Sequence, residues 1–202
     1  LYPFKEFKIK SVETQKRAIR KEDIDKIRDL DLSSNPDLVF ARDIFMFSFY
    51  LRGMSLIDIA TLKVKDILNN RVLYTRKKTG QKFSIKLTDK AIELINRYND
   101  LKEPDSYVFP IIYDSKKEYL IYRNAIRLIN KKLKKIAKLA QLDIILTTYV
   151  ARHSLATIAK KAGISTAIIS EGLGHDSEET TQIYLDSFEN KVLDDANEVV
   201  TG

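Results

Sequence analysis

The chain contains no cysteine. That excludes disulfides, thiolate nucleophiles and cysteine-ligated zinc, and it fits a reducing compartment. No stretch approaches the roughly 18 consecutive apolar residues of a membrane-spanning helix, and no signal-peptide pattern opens the chain. Internal repeats and low-complexity segments are also missing, so the sequence reads as an ordinary folded domain. It has 202 residues, of which 44% are hydrophobic, enough for one domain with a real core. The net charge is +7 and the isoelectric point near 9.3. Such a balance suits a polyanionic partner, although many basic proteins bind nothing acidic.

Residues 1–20 are rich in lysine and show no helical stripe. They read as a linker or arm, with Lys5, Lys8, Lys10 and Lys16 placed either to touch phosphates or simply to be solvated. Helix signals then dominate. Lys21 to Ile27 begins a short helix with an acidic first turn. Asn35-Pro36 supplies an N-cap and a first-turn proline. Leu38 to Leu51 is apolar nearly all round, as in a helix buried on most sides. Gly53 is its stop signal, which makes Arg52 the last residue of a core helix, either a charge delivered for work or a cap on the helix's negative end. Ser55-Leu56-Ile57-Asp58 has the form of a capping box opening a helix to Leu62.

Three alternating runs follow: Val64–Leu68, Arg71–Arg76 and Lys82–Leu87. They are separated by Asn69-Asn70 and by Lys77 to Gln81, and together they predict a small antiparallel sheet with a lysine-rich hairpin tip. Thr88 caps a helix to about Asn99. A long basic helix spans about 117–142, its lysines best read as a solvated face. Thr147 or Thr148 opens a helix that ends near Gly163. Ser165 caps a short helix ending at Gly172 to Gly174, and Ser177 caps a last helix before Tyr184. The fold class is α+β, mainly α-helical with a small three-stranded antiparallel sheet.

Within 146–186 three motifs stand in order: Tyr149-Val150-Ala151-Arg152-His153, then Leu173-Gly174-His175, then Thr181-Gln182-Ile183-Tyr184. Arg152 and His175 are 23 residues apart, and Tyr184 follows His175 by nine. Singly, each has an ordinary explanation. Tyr184 suits a partly buried helix residue, His175 a turn before a helix, and His153 local packing. The joint order is far more specific. It resembles the tyrosine recombinase (phage-type integrase) family, whose signature is an Arg, then Leu-Gly-His, then a Tyr nine residues after that His.

The resemblance covers about residues 21–186 and implies the fold of that family's catalytic domain. Residues 1–20 would then be a linker from an N-terminal core-binding domain, and 187–202 a C-terminal tail or helix. By the same resemblance Arg52 matches the first arginine, Arg152 the second, His175 the histidine and Tyr184 the nucleophile. Lys78, in Lys78-Thr79-Gly80, matches the lysine that acts as general acid, with Lys77 as the fallback. Asp58 is a candidate for the family's acidic residue, or simply half of a capping box. One departure is clear: Tyr149 stands where the family usually has the histidine of His-x-x-Arg. Tyrosine can donate a hydrogen bond to phosphate but is a poor base near neutral pH.

These residue types suit one chemistry. Arginine grips phosphate oxygens through a planar fork and keeps its proton. A phenol with pKa near ~10 is both an attacking group and a better leaving group than a sugar alkoxide. The resemblance therefore implies a DNA strand-breaking and rejoining enzyme, a recombinase or integrase working through a 3′-phosphotyrosyl link, with no cofactor. It implies double-stranded DNA carrying specific sites as partner, a homotetramer on that DNA, accessory directionality factors and no membrane. A mobile element is the leading context and the bacterial cytoplasm, at the nucleoid, the place. A type IB topoisomerase-like relaxing enzyme and a catalytically decayed DNA-binding module are the alternatives.

Overall fold

The computed structural model describes residues 18–175 and 177–185, without the side chains of Ile183 and Tyr184. The lysine-rich arm up to residue 17 and the tail from 187 lie outside the described residues. In chain order the elements are α1 (Lys21–Asp29), α2 (Pro36–Tyr50), α3 (Leu56–Ala60), β1 (Ile67–Leu68), β2 (Arg71–Thr75), β3 (Lys82–Lys86), α4 (Asp89–Tyr98), α5 (Glu118–Leu139), α6 (Thr148–Lys161), α7 (Thr166–Leu173) and α8 (Glu178–Tyr184). The strands form one antiparallel sheet in the order β1-β2-β3. The α+β, mainly helical class read from the sequence is the one observed.

Helix α2 is the centre. Asn35 caps it through its side chain, which accepts from Leu38 N at 3.2 Å. An apolar run with no polar stripe can be stable only when covered on several sides. Accordingly α2 packs against α4, α5 and α6, and Ile44, Phe45 and Phe47 are fully buried. Phe47 meets Phe109 edge-on at 4.7 Å. Each such side chain contributes about 1.5–3 kcal/mol relative to exposure. The charge buried in this helix is Asp43, which accepts from Arg42, Arg97 and Tyr98 and so ties α2 to α4.

A second, smaller apolar cluster joins Ala156 of α6, Ile169 and Leu173 of α7, and Leu185 just past α8. Within the segment read as an arm, Ile19 is buried, and its N–H donates to Ser154 Oγ of α6 at 3.0 Å.

Four local expectations are corrected. Arg52 is not the last residue of α2, which ends at Tyr50; Arg52 lies beyond it with φ 55, in the left-handed region. The capping box at Ser55 does not form: Ser55 Oγ donates to the Asp58 carboxylate at 2.6 Å instead of accepting a helix N–H. The predicted strand over Val64–Leu68 is mostly a 3-10 turn (Val64–Asp66). Val64 and Lys65 give their N–H groups to Ser106 O and Pro104 O, so a neighbouring loop takes the bonds that a strand partner would have made. The long helix stops at Leu139, three residues short of the expected end. The Asn69-Asn70 turn does form; φ of 50 and 58 are the pair a two-residue hairpin loop requires.

Candidate active site

Arg152 sits one turn into α6. The start of that helix is held by α5, where Asn130 Oδ1 accepts the Thr148 N–H at 2.9 Å. Arg152 is 5% exposed. Its Nη1 donates to Gly53 O at 3.2 Å and its Nη2 to Leu173 O. One guanidinium thus joins the turn after α2 to the end of α7, a fixed arrangement that a buried charge needs to offset its lost hydration.

The turn after α2 explains the placement of Arg52. Gly53 N–H returns to Ser48 O at 2.8 Å, closing α2 with two successive left-handed residues, Arg52 and Gly53. Gly53 is a glycine for a second reason: a Cβ there would stand 2.7 Å from Arg152 Cβ. Arg52, which takes the left-handed position usually given to glycine, projects as an exposed cation beside buried Arg152.

His175 is set by the end of α7. Gly174, φ 64, closes the helix in a Schellman arrangement, with His175 N donating to Ser170 O at 3.0 Å and Gly174 N to Glu171 O at 2.9 Å. The imidazole Nδ1 lies 2.8 Å from Thr181 Oγ1, on fully buried Thr181 of α8. That contact couples the ring to the helix that ends at Tyr184. Leu185, buried beside it, donates its N–H to Thr181 O at 2.9 Å. The backbone carrying Tyr184 is therefore anchored on both sides, while its side chain lies outside the described atoms.

The β2–β3 hairpin brings the lysines. Its loop is closed by Arg76 N to Gln81 O and Gly80 N to Arg76 O, both 2.8 Å. Lys77 is tied down: its N–H donates to Asp58 Oδ1 at 2.9 Å and its ammonium pairs with Glu118 at 3.4 Å. Lys78 is exposed at the tip. Asp58 is buried, and it anchors the hairpin rather than a helix N-terminus.

Tyr149 lies three residues before Arg152 on the first turn of α6, 45% exposed, its ring edge-on to His153 at 4.6 Å. His153 packs locally, as expected. The charges gather around one further ring. Tyr74 stacks on Phe83 at 5.1 Å. Burial pushes its phenol well above the ordinary range and Asp58 raises it further, while Arg76, Arg152 and Arg52 pull the other way.

The sequence reading missed Arg76. The last residue of the second alternating run, it is buried and aims its guanidinium at the end of α7. A faint signal was available: a charge at the root of a hairpin, just before two lysines.

The phage integrase family model matches residues 17–191, and the chain belongs to that family. Among curated proteins it is similar to the tyrosine recombinase XerA of Saccharolobus solfataricus, with 30% identity over 147 residues. That match covers 70% of this chain and 45% of the relative, so the chain spans about half the length of the curated relatives it matches. Among solved structures it is similar to XerA recombinase, with a TM-score of 0.64 and 18% identity over 92% of this chain and 66% of that one. It is also similar to the Tn1549 transposon integrase in complex with transposon right end DNA, with a TM-score of 0.59 and 12% identity over 98% of this chain and 71% of the other. These two likenesses show the tyrosine recombinase catalytic-domain fold. No described helix is long and apolar enough to cross a membrane.

Proposed function

We propose that the chain is the catalytic part of a site-specific DNA recombinase or integrase, with residues 21–186 as the catalytic domain between an arm (1–20) and a tail (187–202). The observation that carries this reading is the position of Arg152. Its guanidinium is braced by Gly53 O and Leu173 O, and these belong to the turns that carry Arg52 and His175.

The Tyr184 hydroxyl oxygen attacks the scissile phosphorus of double-stranded DNA. The phenolic proton passes to solvent, the bond to the 5′ oxygen breaks, a 3′-phosphotyrosyl bond forms, and Lys78, later reprotonated from solvent, gives a proton to the departing oxygen. Arg52, Arg152 and His175 hold the non-bridging oxygens, where negative charge builds, and the Tyr149 hydroxyl adds a hydrogen bond to the same phosphate. The 5′-hydroxyl of a partner strand reverses the step, so the energy of the broken strand is kept in the phosphotyrosine and religation needs no ATP.

The substrate is double-stranded DNA with specific recombination sites, and the working assembly is a homotetramer on that DNA, with directionality factors as accessory partners. Family membership and the likeness to a transposon integrase support a mobile element as the context; on this reading the place is the bacterial cytoplasm, at the nucleoid.

The test is covalent trapping. A nicked duplex carrying a candidate site is incubated with the full-length protein, then run on a denaturing gel. A protein–DNA adduct that vanishes in Tyr184→Phe is the expected result. DNA binding without any adduct from the wild type would overturn the enzyme reading.

A further inference from the structure

The C-terminus of a helix leaves carbonyl oxygens without intrahelical partners and carries partial negative charge. At the end of α7 these oxygens meet two arginines from distant parts of the chain. Leu173 O accepts from Arg152 Nη2 and, at 3.2 Å, from Arg76 Nη1. The same Arg76 nitrogen donates to Gly174 O at 3.1 Å. Only 9% of Arg76 is exposed, so this is a buried cation spent on the turn that presents His175.

The backbone of Arg76 is equally constrained. Its N–H donates to Gln81 O and its carbonyl accepts from the Gly80 N–H, closing the hairpin loop that carries Lys77 and Lys78, and the next N–H is held by Asp58. On the far side of the loop, Gln81 and Phe83 lie so close to Gly174 that any Cβ there would collide with them. The hairpin root and the histidine turn therefore fit together as one surface.

We infer that Arg76 is a positioning residue that locks the Lys78 hairpin onto the Leu173–Gly174–His175 turn, so that the leaving-group proton donor is set relative to the phosphate-holding residues. For its chemistry the inference rests on the recombinase reading. Of the two joined parts the hairpin is the one that loosens when the lock is removed, because α7 keeps its contact with Arg152.

A 5′-bridging phosphorothiolate substrate separates this role from a general structural one. A thiol with pKa near about 8.5 leaves without a proton, so its cleavage does not depend on where Lys78 stands. In the full-length protein, Arg76→Met is expected to slow single-turnover cleavage of the ordinary substrate about 100-fold. On the phosphorothiolate it stays within about fivefold of wild type, with DNA affinity changed by less than about threefold. Arg76→Lys, whose ammonium can replace the single bridging nitrogen, recovers most of the ordinary rate. Equal losses on both substrates, or no loss on the ordinary one, would overturn the inference.

Amide hydrogen exchange tests the lock independently of cleavage. Exchange at Lys77 to Gly80 should rise about tenfold or more in Arg76→Met, with α6 amides unaffected. If wild type cleaves neither substrate, the recombinase reading fails, and exchange alone decides the lock; unchanged exchange would refute it.

Discussion

Gly53 and Arg152 are 99 residues apart in sequence and touch so closely that no side chain fits at position 53. A Cβ there would lie 2.7 Å from Arg152 Cβ and Cγ and 2.8 Å from its Cα, and the backbone is already left-handed, at φ 69. Gly53→Ala therefore meets a steric and a conformational penalty together, and the helix holding Arg152 must move. The variant should lose about 3 kcal/mol of unfolding free energy in urea. Its cleavage rate should fall further than its stability explains.

Arg52 separates backbone strain from charge. At φ 55 an L side chain is disfavoured, so Arg52→Gly should be more stable than Arg52→Ala by about 1 kcal/mol. Both variants lose the cation, and both should fail to form the covalent adduct. Equal melting temperatures for the pair would show that the turn is relaxed.

Asp58 holds the hairpin root from below. It accepts from Ser55 Oγ and Lys77 N while buried. Asp58→Ala leaves the Lys77 N–H without its acceptor and should cost about 1–3 kcal/mol. Because Lys78 follows directly, cleavage of an ordinary substrate should also fall, with relief on a phosphorothiolate.

Tyr74 gives the fold an alkaline limit. Burial, and then Asp58, raise its phenol above the ordinary value near 10. Below that ordinary value both folded and unfolded chains keep the proton, and the group adds no slope. Above it the unfolded chain releases the proton while the folded chain keeps it, so stability falls as pH rises. One such group contributes at most about 1.4 kcal/mol per pH unit. Tyr74→Phe should flatten this limb in denaturant titrations between pH 10 and 11, while leaving neutral-pH stability nearly unchanged.

Tyr149 tests the departure from the usual His-x-x-Arg pattern. It is 45% exposed. Tyr149→Phe should slow adduct formation by about tenfold, the worth of one hydrogen bond to a charged group, with the melting temperature unchanged. An unaffected rate would remove Tyr149 from the phosphate's surroundings.

Much of this was legible from local rules. The Asn35-Pro36 start, the Asn69-Asn70 turn, and the Ser165, Ser177 and Thr88 caps each depend on neighbours within three or four residues, so the sequence shows them directly. The apolar run of α2 announced its own burial. Two of the errors fall where distant partners compete. A loop at Pro104–Ser106 took the hydrogen bonds of the expected first strand. Asp58, whose spacing suits a capping box, was claimed by a hairpin 19 residues away.

The order and spacing of Arg152, His175 and Tyr184, and with them membership of the family, were determined by sequence alone, because they are properties of residue type and separation. What only the tertiary structure decided is how these parts are joined. It made Arg76 a buried bridge to the end of α7, paired Lys77 with Glu118 while leaving Lys78 exposed, and pressed Gly53 against Arg152. Such contacts depend on which carbonyls a helix end leaves open and which backbone approaches within a few ångströms. Those are facts of packing between elements that no local pattern encodes.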